Sequence, residues 1–376
     1  MSNQYIAPFS NARDINLMQI KAAKASGRKV VGIYCAYCPQ ELILAAGAIP
    51  VSLCGTREEP IPAAEVLLPR NLCPLIKSSF GFAITDTCPF FHFSDLVIGE
   101  TTCDGKRKMF ELMHELKPVH VMQLPHNNVS PAAFDLWADE LRRLRLRLEE
   151  ELNTRITDES LWQAMELVGQ ERKFIKAMFD LNQADPPLFT GLELLTVSWS
   201  RNFSSDKGGL IGQLQQLLEN VREKPNGTPA PRVLLTGCPV GLGSEKVITV
   251  TEDLGAHIVA MENCSGYKTV DLQYDNTIDD PIIALAQMYL GIPCSCMSPN
   301  PQRLELIERM IANFKVDAVI DLTWQACHTY NIESYHVGKL VKEKGLPYLH
   351  LESDYSNSDK ENIKVRVQAM LEMIEK

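Results

Sequence analysis

The sequence has no concentrated basic region and no long apolar run. Its 47 acidic residues outnumber 37 lysines and arginines, for a formal net charge of -10, and the basic residues are scattered apart from a cluster at 142–147. Nucleic-acid binding is therefore not expected. No stretch approaches the roughly 18 apolar residues of a membrane span, and Met1–Arg13 is polar, without the apolar core of a signal peptide. We expect no membrane association and a cytoplasmic location.

The sequence also lacks the glycine patterns that bind nucleotides. Residues 237–243 read Gly-Cys-Pro-Val-Gly-Leu-Gly and link a predicted strand to a predicted helix. Their spacing matches neither the dinucleotide fingerprint nor the Walker A motif. Nucleotide binding by this chain is not expected.

Cysteine, by contrast, is plentiful, with eleven in 376 residues. Most follow an apolar, strand-like run directly: Cys35 and Cys38 follow 30–34, Cys54 follows 49–53, Cys103 follows 96–102, Cys238 follows 233–237, Cys264 follows 258–263 and Cys327 follows 318–326. The carboxyl ends of parallel strands open onto one edge of a sheet, where ligands bind. The placement therefore predicts one shared metal–sulfur site. In a reducing cytosol such thiols are metal ligands or redox groups rather than disulfides.

Short β-branched runs, including 119–124, alternate with helical patterns, which predicts an α/β fold. We predict two similar Rossmann-like parallel-sheet domains at 1–130 and 232–376, with an inserted helical segment at 131–222 and a Pro/Gly-rich linker at 223–231. An internal repeat supports this division. Residues 47–55, from Gly-Ala through a strand to Cys-Gly, are echoed at 255–266, and 94–103 are echoed at 316–327. The cleft between the two domains is where we expect the chemistry.

Other uses of the cysteines fit less well. A zinc ribbon needs two close pairs, but the C-x-x-C of Cys35 and Cys38 and the C-x-C of Cys294 and Cys296 are far apart. A thioredoxin-type dithiol at Cys35 and Cys38 leaves the other cysteines unexplained. A single free cysteine is often a small buried hydrophobe, yet Cys35, Cys73, Cys103, Cys264 and Cys327 all fall at predicted loops or helix starts. Thiolates there suit soft metals and iron–sulfur clusters.

Two polar residues near the same predicted edge are candidates for catalysis. Glu41 and His328 could handle protons beside the cysteines, although a surface or capping role suits them equally well.

Several motifs together resemble one superfamily. They are Tyr34-Cys35 with Pro39-Gln-Glu41, Ala-Ala-Gly-Ala at 45–48, Leu-Pro-Arg-Asn-Leu-Cys-Pro at 68–74, Thr-Thr-Cys-Asp-Gly-Lys at 101–106 and Gln-Ala-Cys at 325–327. Over nearly its whole length the chain resembles the 2-hydroxyacyl-CoA dehydratase and benzoyl-CoA reductase superfamily. The resemblance implies two α/β domains per subunit and an iron–sulfur cluster held by cysteines in the cleft. It also implies low-potential electrons from a partner ATPase that carries its own cluster.

Within that superfamily, Cys264, Cys294, Cys296 and the Cys-His-Thr-Tyr run from Cys327 resemble the double-cubane cluster proteins. That branch implies a homodimer whose subunits each hold an [8Fe-9S] cluster, two [4Fe-4S] cubanes joined by a sulfide, on six cysteines. The implied ligands here are Cys35, Cys73, Cys103, Cys264, Cys327 and one of Cys294 and Cys296. In reserve are Cys38, Cys54, Cys88 and Cys238.

The resemblance leaves three functions open. The first is an ATP-dependent low-potential reductase of small unsaturated molecules, an oxidoreductase. The second is a subunit of a 2-hydroxyacyl-CoA dehydratase, a lyase with a single [4Fe-4S] cluster. The third is an iron–sulfur electron carrier without catalytic activity. Because this chain has no phosphate loop, both enzymes would depend on the partner for ATP hydrolysis.

Overall fold

The computed structural model describes residues 5–221 and 229–374. Its eight strands are β1 Val30–Ile33, β2 Ile49–Ser52, β3 Leu96–Glu100, β4 Val119–Met122, β5 Arg232–Gly237, β6 His257–Met261, β7 Ala318–Trp324 and β8 Tyr348–Ser353. Strand β5 begins where the second domain was predicted to begin. The predicted linker at 223–231 lies outside the described residues except for 229–231.

Helices surround these strands throughout the described residues. They are α1 Ala7–Ser10, α2 Ala12–Ala25, α3 Gln40–Ala45, α4 Ile61–Ala64, α5 Pro74–Ile84, α6 Pro89–Phe93, α7 Asp104–Met113, α8 Pro131–Leu152, α9 Asp158–Leu181, α10 Gly191–Ser200, α11 Lys207–Val221, α12 Lys246–Asp253, α13 Pro281–Leu290, α14 Pro301–Asn313, α15 His328–Glu343 and α16 Lys360–Leu371, with short 3₁₀ turns at Arg201–Phe203 and Tyr267–Thr269. In the part of the chain that the structure describes, no helix is both long and apolar enough to cross a membrane.

The strands form two parallel four-stranded sheets of the same topology. The orders are β2-β1-β3-β4 and β6-β5-β7-β8, with every neighbouring pair parallel. In each sheet, the second strand along the chain lies on one side of the first strand, and the third strand lies on the other side. The connections that leave the first and third strands therefore run in opposite directions, and this switch point leaves an open crevice. The predicted α/β fold with two similar sheets is confirmed. Two of the predicted cysteine loops in each sheet follow the strands that flank its switch point.

The central strands are buried on both faces, which explains their continuous apolar sequences. Every residue of β3, β5 and β7 is buried. The sequence pattern did not predict strand β8, which lies at a sheet edge, is only partly buried and carries His350 in its middle. Strand β4 has a similar position and burial.

The internal repeat corresponds to equivalent parts of the two sheets. Gly47 follows α3 and precedes β2, and Gly255 follows α12 and precedes β6. Their φ angles are +78° and +86°, a left-handed conformation that glycine adopts without steric cost at helix ends.

The segment predicted as helical at 131–222 contains α8 to α11 and no strand among its described residues, 131–221. Its apolar stripe of Trp137, Leu141, Leu144 and Leu148 is wholly buried in the core of this subunit, so the stripe presents no surface to a second chain. The arginine cluster at 142–147 lies on the outer side of α8 and makes ion pairs with acidic residues one helical turn away.

Candidate functional site

Most of the cysteines lie where strands end or helices begin. Cys73, Cys103 and Cys327 are the residues immediately before α5, α7 and α15, and Cys238 directly follows β5. Main-chain amides at helix starts are unpaired and carry partial positive charge, which favours thiolates. All eleven cysteines are free thiols.

Three thiols from both halves of the chain meet in one place. Cys327 interacts with the thiols of Cys73 and Cys238 as its hydrogen-bonding partners. These contacts lower the pKa of Cys327 well below its usual range. They also raise the pKa of Cys73, and burial raises it further. The pKa of Cys238 is raised mainly by burial, and its hydrogen bond with Cys327 adds to this effect. We call Cys73, Cys238 and Cys327 the thiol trio.

A second set of thiols gathers around Cys294. Hydrogen bonds from the thiols of Cys264 and Cys296 lower the pKa of Cys294 well below its usual range. Cys35 is close enough to Cys264, Cys294 and Cys296 to interact electrostatically with each of them. We call Cys35, Cys264, Cys294 and Cys296 the thiol quartet. In both sets, therefore, one thiol interacts with two neighbouring thiols.

Lys106 lies close to Cys35 of the quartet and to two further cysteines, Cys54 and Cys103. Burial lowers its pKa, but the charges of Cys35, Cys54 and Cys103 outweigh this effect and hold the pKa well above its usual range. The Lys106 Nζ donates to the Tyr34 carbonyl at 3.3 Å, and its main-chain N–H donates to Cys103 Sγ at 3.4 Å. The predicted ligand Cys103 thus lies beside Lys106 and is not among the hydrogen-bonded thiols of the trio.

A cavity of about 130 Å³ opens between the two halves. Its lining includes thiols from both sheets and cations from α7, α9 and the turn after α10: Cys35, Cys38, Cys54, Cys264, Lys106, Arg172 and Arg201. Close to it, Glu100 is fully buried and neither carboxylate oxygen has a well-aligned hydrogen-bond partner among the described residues. Burial raises the pKa of Glu100 to about 7.

The two predicted catalytic residues have different surroundings. Glu41 is wholly buried and lies 3.0 Å from Arg172, and it accepts hydrogen bonds from Tyr274 and Tyr289. It does not line the cavity. His328 is exposed at the first position of α15. A catalytic role for either residue stays a prediction, and the contacts of Glu41 favour a structural one.

Thiol donors are what soft metals prefer, and the described residues contain them as two sets. Among these residues, no three His, Cys, Asp or Glu side chains surround the position of a single metal ion. The trio and quartet are thus not ready-made sites for one ion.

Comparison with known proteins identifies the relatives of the chain. Residues 35–374 match the model of the family described as 2-hydroxyglutaryl-CoA dehydratase, D-component. The chain belongs to this family. It is 44% identical over 371 residues to the putative dehydratase subunit YjiM of Escherichia coli K12, covering 97% of each chain. It is 24% identical to the (R)-phenyllactyl-CoA dehydratase beta subunit of Clostridium sporogenes, covering 94% of each. It is also 24% identical to a benzoyl-CoA reductase subunit of Thauera aromatica, covering 42% of each.

Membership of the dehydratase D-component family confirms the superfamily that the motifs indicated. Relatives from that family are named as subunits of dehydratases and a reductase, so an enzyme subunit is supported. The matched residues begin at Cys35 and contain the whole trio and quartet.

The structure also brings in residues that the sequence did not single out. Cys238 was only a reserve ligand, although its position directly after β5 matches that of the other candidates. Lys268 and Arg172 were not recognised, because an isolated basic residue in a sequence carries no signal of being buried beside thiols or tyrosines.

Proposed function

We propose that this dehydratase-family chain binds an [8Fe-9S] double-cubane cluster and acts as an ATP-dependent, low-potential reductase of small unsaturated molecules. The observation that carries the proposal is the separation of the thiols into a trio and a quartet. A single [4Fe-4S] cluster needs at most four cysteines. Seven thiols in two sets provide donors for two cubanes.

The seven thiols can be divided between the two cubanes of such a cluster. The quartet of Cys35, Cys264, Cys294 and Cys296 would hold one half, and the trio of Cys73, Cys238 and Cys327 would hold the other. When bound, the cluster supplies low-potential electrons to the substrate. Cys103 and Cys54 lie beside Lys106 and remain alternative ligands.

The chain's own residues would bind the substrate and handle protons. Lys106 and Arg201 place positive charge at the cavity, and the apolar side chains of Leu75, Leu272 and Ile292 restrict access of water. Burial raises the pKa of Glu100 to about 7, so this carboxyl exchanges its proton around neutral pH. Reduction of an unsaturated bond consumes protons together with electrons, and Glu100, which interacts with the cavity-lining Lys106, would hold a proton for that step.

The size of the cavity favours a small substrate. Pockets for drug-sized ligands measure about 300–1,000 Å³, and the cavity measures about 130 Å³. A CoA thioester would have to leave most of its length outside this space, and a cluster held by Cys35 and Cys264, which line the same cavity, would occupy part of it.

A second candidate is a subunit of a 2-hydroxyacyl-CoA dehydratase with one [4Fe-4S] cluster. The name of the Clostridium sporogenes relative, a dehydratase beta subunit, supports this alternative. Under it, only one of the two thiol sets would carry iron, and the chain would act with a different subunit.

Partners and location belong to the same proposal. We propose a cytoplasmic homodimer that receives electrons from an ATPase with its own iron–sulfur cluster. The absence of a phosphate loop in the sequence and the subunit names of the relatives support dependence on other chains.

The test is iron and acid-labile sulfide per chain after anaerobic purification. About eight irons with about nine sulfides are expected for the double cubane, and replacing Cys264, Cys294 and Cys296 by Ser should lower both. Cys88→Ser is the matched control, since Cys88 belongs to neither thiol set. About four irons, unchanged in the triple variant, would support the dehydratase alternative instead, and iron-free protein would contradict both.

A further inference from the structure

Lys268 is a wholly buried cation next to the thiol quartet. Its side chain has no exposure to solvent, and its Nζ donates a hydrogen bond of 2.7 Å to the Tyr330 hydroxyl. The ammonium also lies 3.2 Å from Glu262 Oε1 and 5.2 Å from the centre of the Tyr330 ring. A buried ammonium is costly unless negative groups compensate it, so the groups that face Lys268 matter.

The nearest carboxylate compensates Lys268 only in part. Glu262 is shared with Arg303, which is also wholly buried and lies 3.3 Å from Glu262 Oε2. Cys294, whose pKa is lowered by its neighbouring thiols, provides a further negative group, and its charge raises the pKa of Lys268. The Tyr330 hydroxyl completes the connection, because it lies 3.9 Å from Cys294 Sγ as well as 2.7 Å from Lys268.

The thiol trio has different surroundings. Apart from burial, the largest influences on its members are the thiols of the same set and main-chain amides, such as the N–H of Trp324 that donates to Cys238 Sγ at 3.3 Å. Lys268 therefore has a stronger electrostatic influence on the quartet than on the trio.

We propose that Lys268 makes the two thiol sets electrostatically unequal, so that an added electron is held preferentially on the side of Cys264 and Cys294. This inference rests on the proposed double-cubane function. Positive charge and hydrogen bonds near the sulfurs raise the reduction potential of an iron–sulfur centre. One electron enters from a low-potential donor, which is the partner ATPase in the cell and Ti(III) citrate in the test. No bond forms or breaks in this step.

A purely structural role for Lys268 makes a different prediction. If Lys268 only neutralised Glu262, removing it would lower stability but would leave the reduction potential of the bound cluster unchanged. The potential therefore separates the two roles.

The experiment is a redox titration of the anaerobically purified holoprotein, followed by electron paramagnetic resonance. In Lys268→Met we expect the first midpoint potential to shift to more negative values and the second to shift less. The matched control is Lys176→Met. Lys176 also bonds a tyrosine hydroxyl, that of Tyr267 at 2.6 Å, and a carboxylate, Asp180 at 2.9 Å, but it does not contact the thiol sets. Its midpoints should equal those of the wild type.

An iron-replete Lys268→Met protein with wild-type midpoints would overturn the inference. If Lys268→Met fails to fold or to retain iron, Lys268→Gln decides by the same criterion, because it removes the charge and keeps a side chain that can hydrogen-bond the Tyr330 hydroxyl. A negative shift in Lys268→Gln supports the inference, and unchanged midpoints reject it. Wild-type protein without about eight irons would instead refute the proposed function, which is read from iron content before any titration.

Discussion

The Tyr289 hydroxyl donates a hydrogen bond of 2.7 Å to Glu41 Oε2 and so joins α13, in the second half of the chain, to α3 in the first. Arg172, from the inserted helical segment, lies 3.0 Å from the same carboxylate and donates to Tyr289 at 2.8 Å. Three parts of the chain thus meet at one buried ion pair close to the cavity. Their contacts join the two halves of the chain beside the cavity.

The first prediction concerns this ion pair. Glu41→Gln leaves the Arg172 guanidinium buried without its carboxylate, and we expect a loss of stability of about 3–5 kcal/mol. Thermal unfolding of both proteins measures it. Glu111→Gln, which removes an exposed ion pair with Lys108, should cost at most about 1 kcal/mol. A Glu41→Gln protein of normal stability that had lost activity would restore the catalytic role predicted from the sequence.

The second prediction concerns Cys238. Because its thiol is hydrogen-bonded to Cys327 in the trio, Cys238→Ser should lower the iron content of the anaerobic protein as much as Cys327→Ser does. Iron analysis of the purified variants measures this. Full iron in Cys238→Ser together with loss in Cys103→Ser would favour the ligand set that the family resemblance implied.

The third prediction concerns Gly237, the residue before Cys238. Its φ is +106°, and a Cβ atom there would lie 2.1 Å from the Leu322 carbonyl oxygen. Gly237→Ala should therefore lower the thermal midpoint and displace Cys238, with loss of iron. Gly255 is the control, because its φ is +86° but a Cβ would meet nothing within 4 Å, so Gly255→Ala should cost only about 1–2 kcal/mol. Equal effects of the two substitutions would show that the contact with Leu322 is unimportant.

The fourth prediction concerns pH and uses Glu252, which is remote from the thiols. Burial raises the pKa of Glu252 to about 7, above its value in the unfolded chain. The folded state therefore binds this proton more tightly, and stability falls as pH rises between about 4.5 and about 7. Glu252→Gln removes this loss while its amide oxygen can still accept from the Gly191 N–H.

The thermal midpoint of Glu252→Gln should exceed that of the wild type by a margin that grows from pH 5 to pH 8. The full effect is at most about 3 kcal/mol. Glu219, on an exposed face of α11, provides the control substitution Glu219→Gln. Parallel midpoint curves for wild type and Glu252→Gln would contradict the prediction.

Local patterns in the sequence were enough to predict most of the fold. Seven of the eight described strands coincide with short apolar runs, and the wholly buried strands β3, β5 and β7 must be apolar throughout. The eighth, β8, is a partly buried edge strand, as is β4, and its apolar run is interrupted by His350. Turn glycines and prolines at helix starts mark the boundaries of the elements, so the repeat of the two sheets is visible in the sequence alone.

The candidate site was predictable only in part. Cys73 and Cys327 were chosen for their positions and do meet, and so do Cys264, Cys294 and Cys296. The pairing of Cys238 with the trio and of Cys103 with Lys106 was not foreseen. Two cysteines that follow equivalent strands have the same local sequence pattern, and their partners depend on how the domains face each other.

The sequence by itself determined that this protein has two similar parallel sheets and that most of its thiols follow strands at their carboxyl edges, because strand periodicity and strand-end position are local properties. Only the tertiary structure decided which thiols contact one another, that Glu41 is bound by Arg172 and Tyr289, and that Lys268 lies beside one thiol set and not the other. Those relationships join residues far apart in the chain, and the packing of whole domains brings them together.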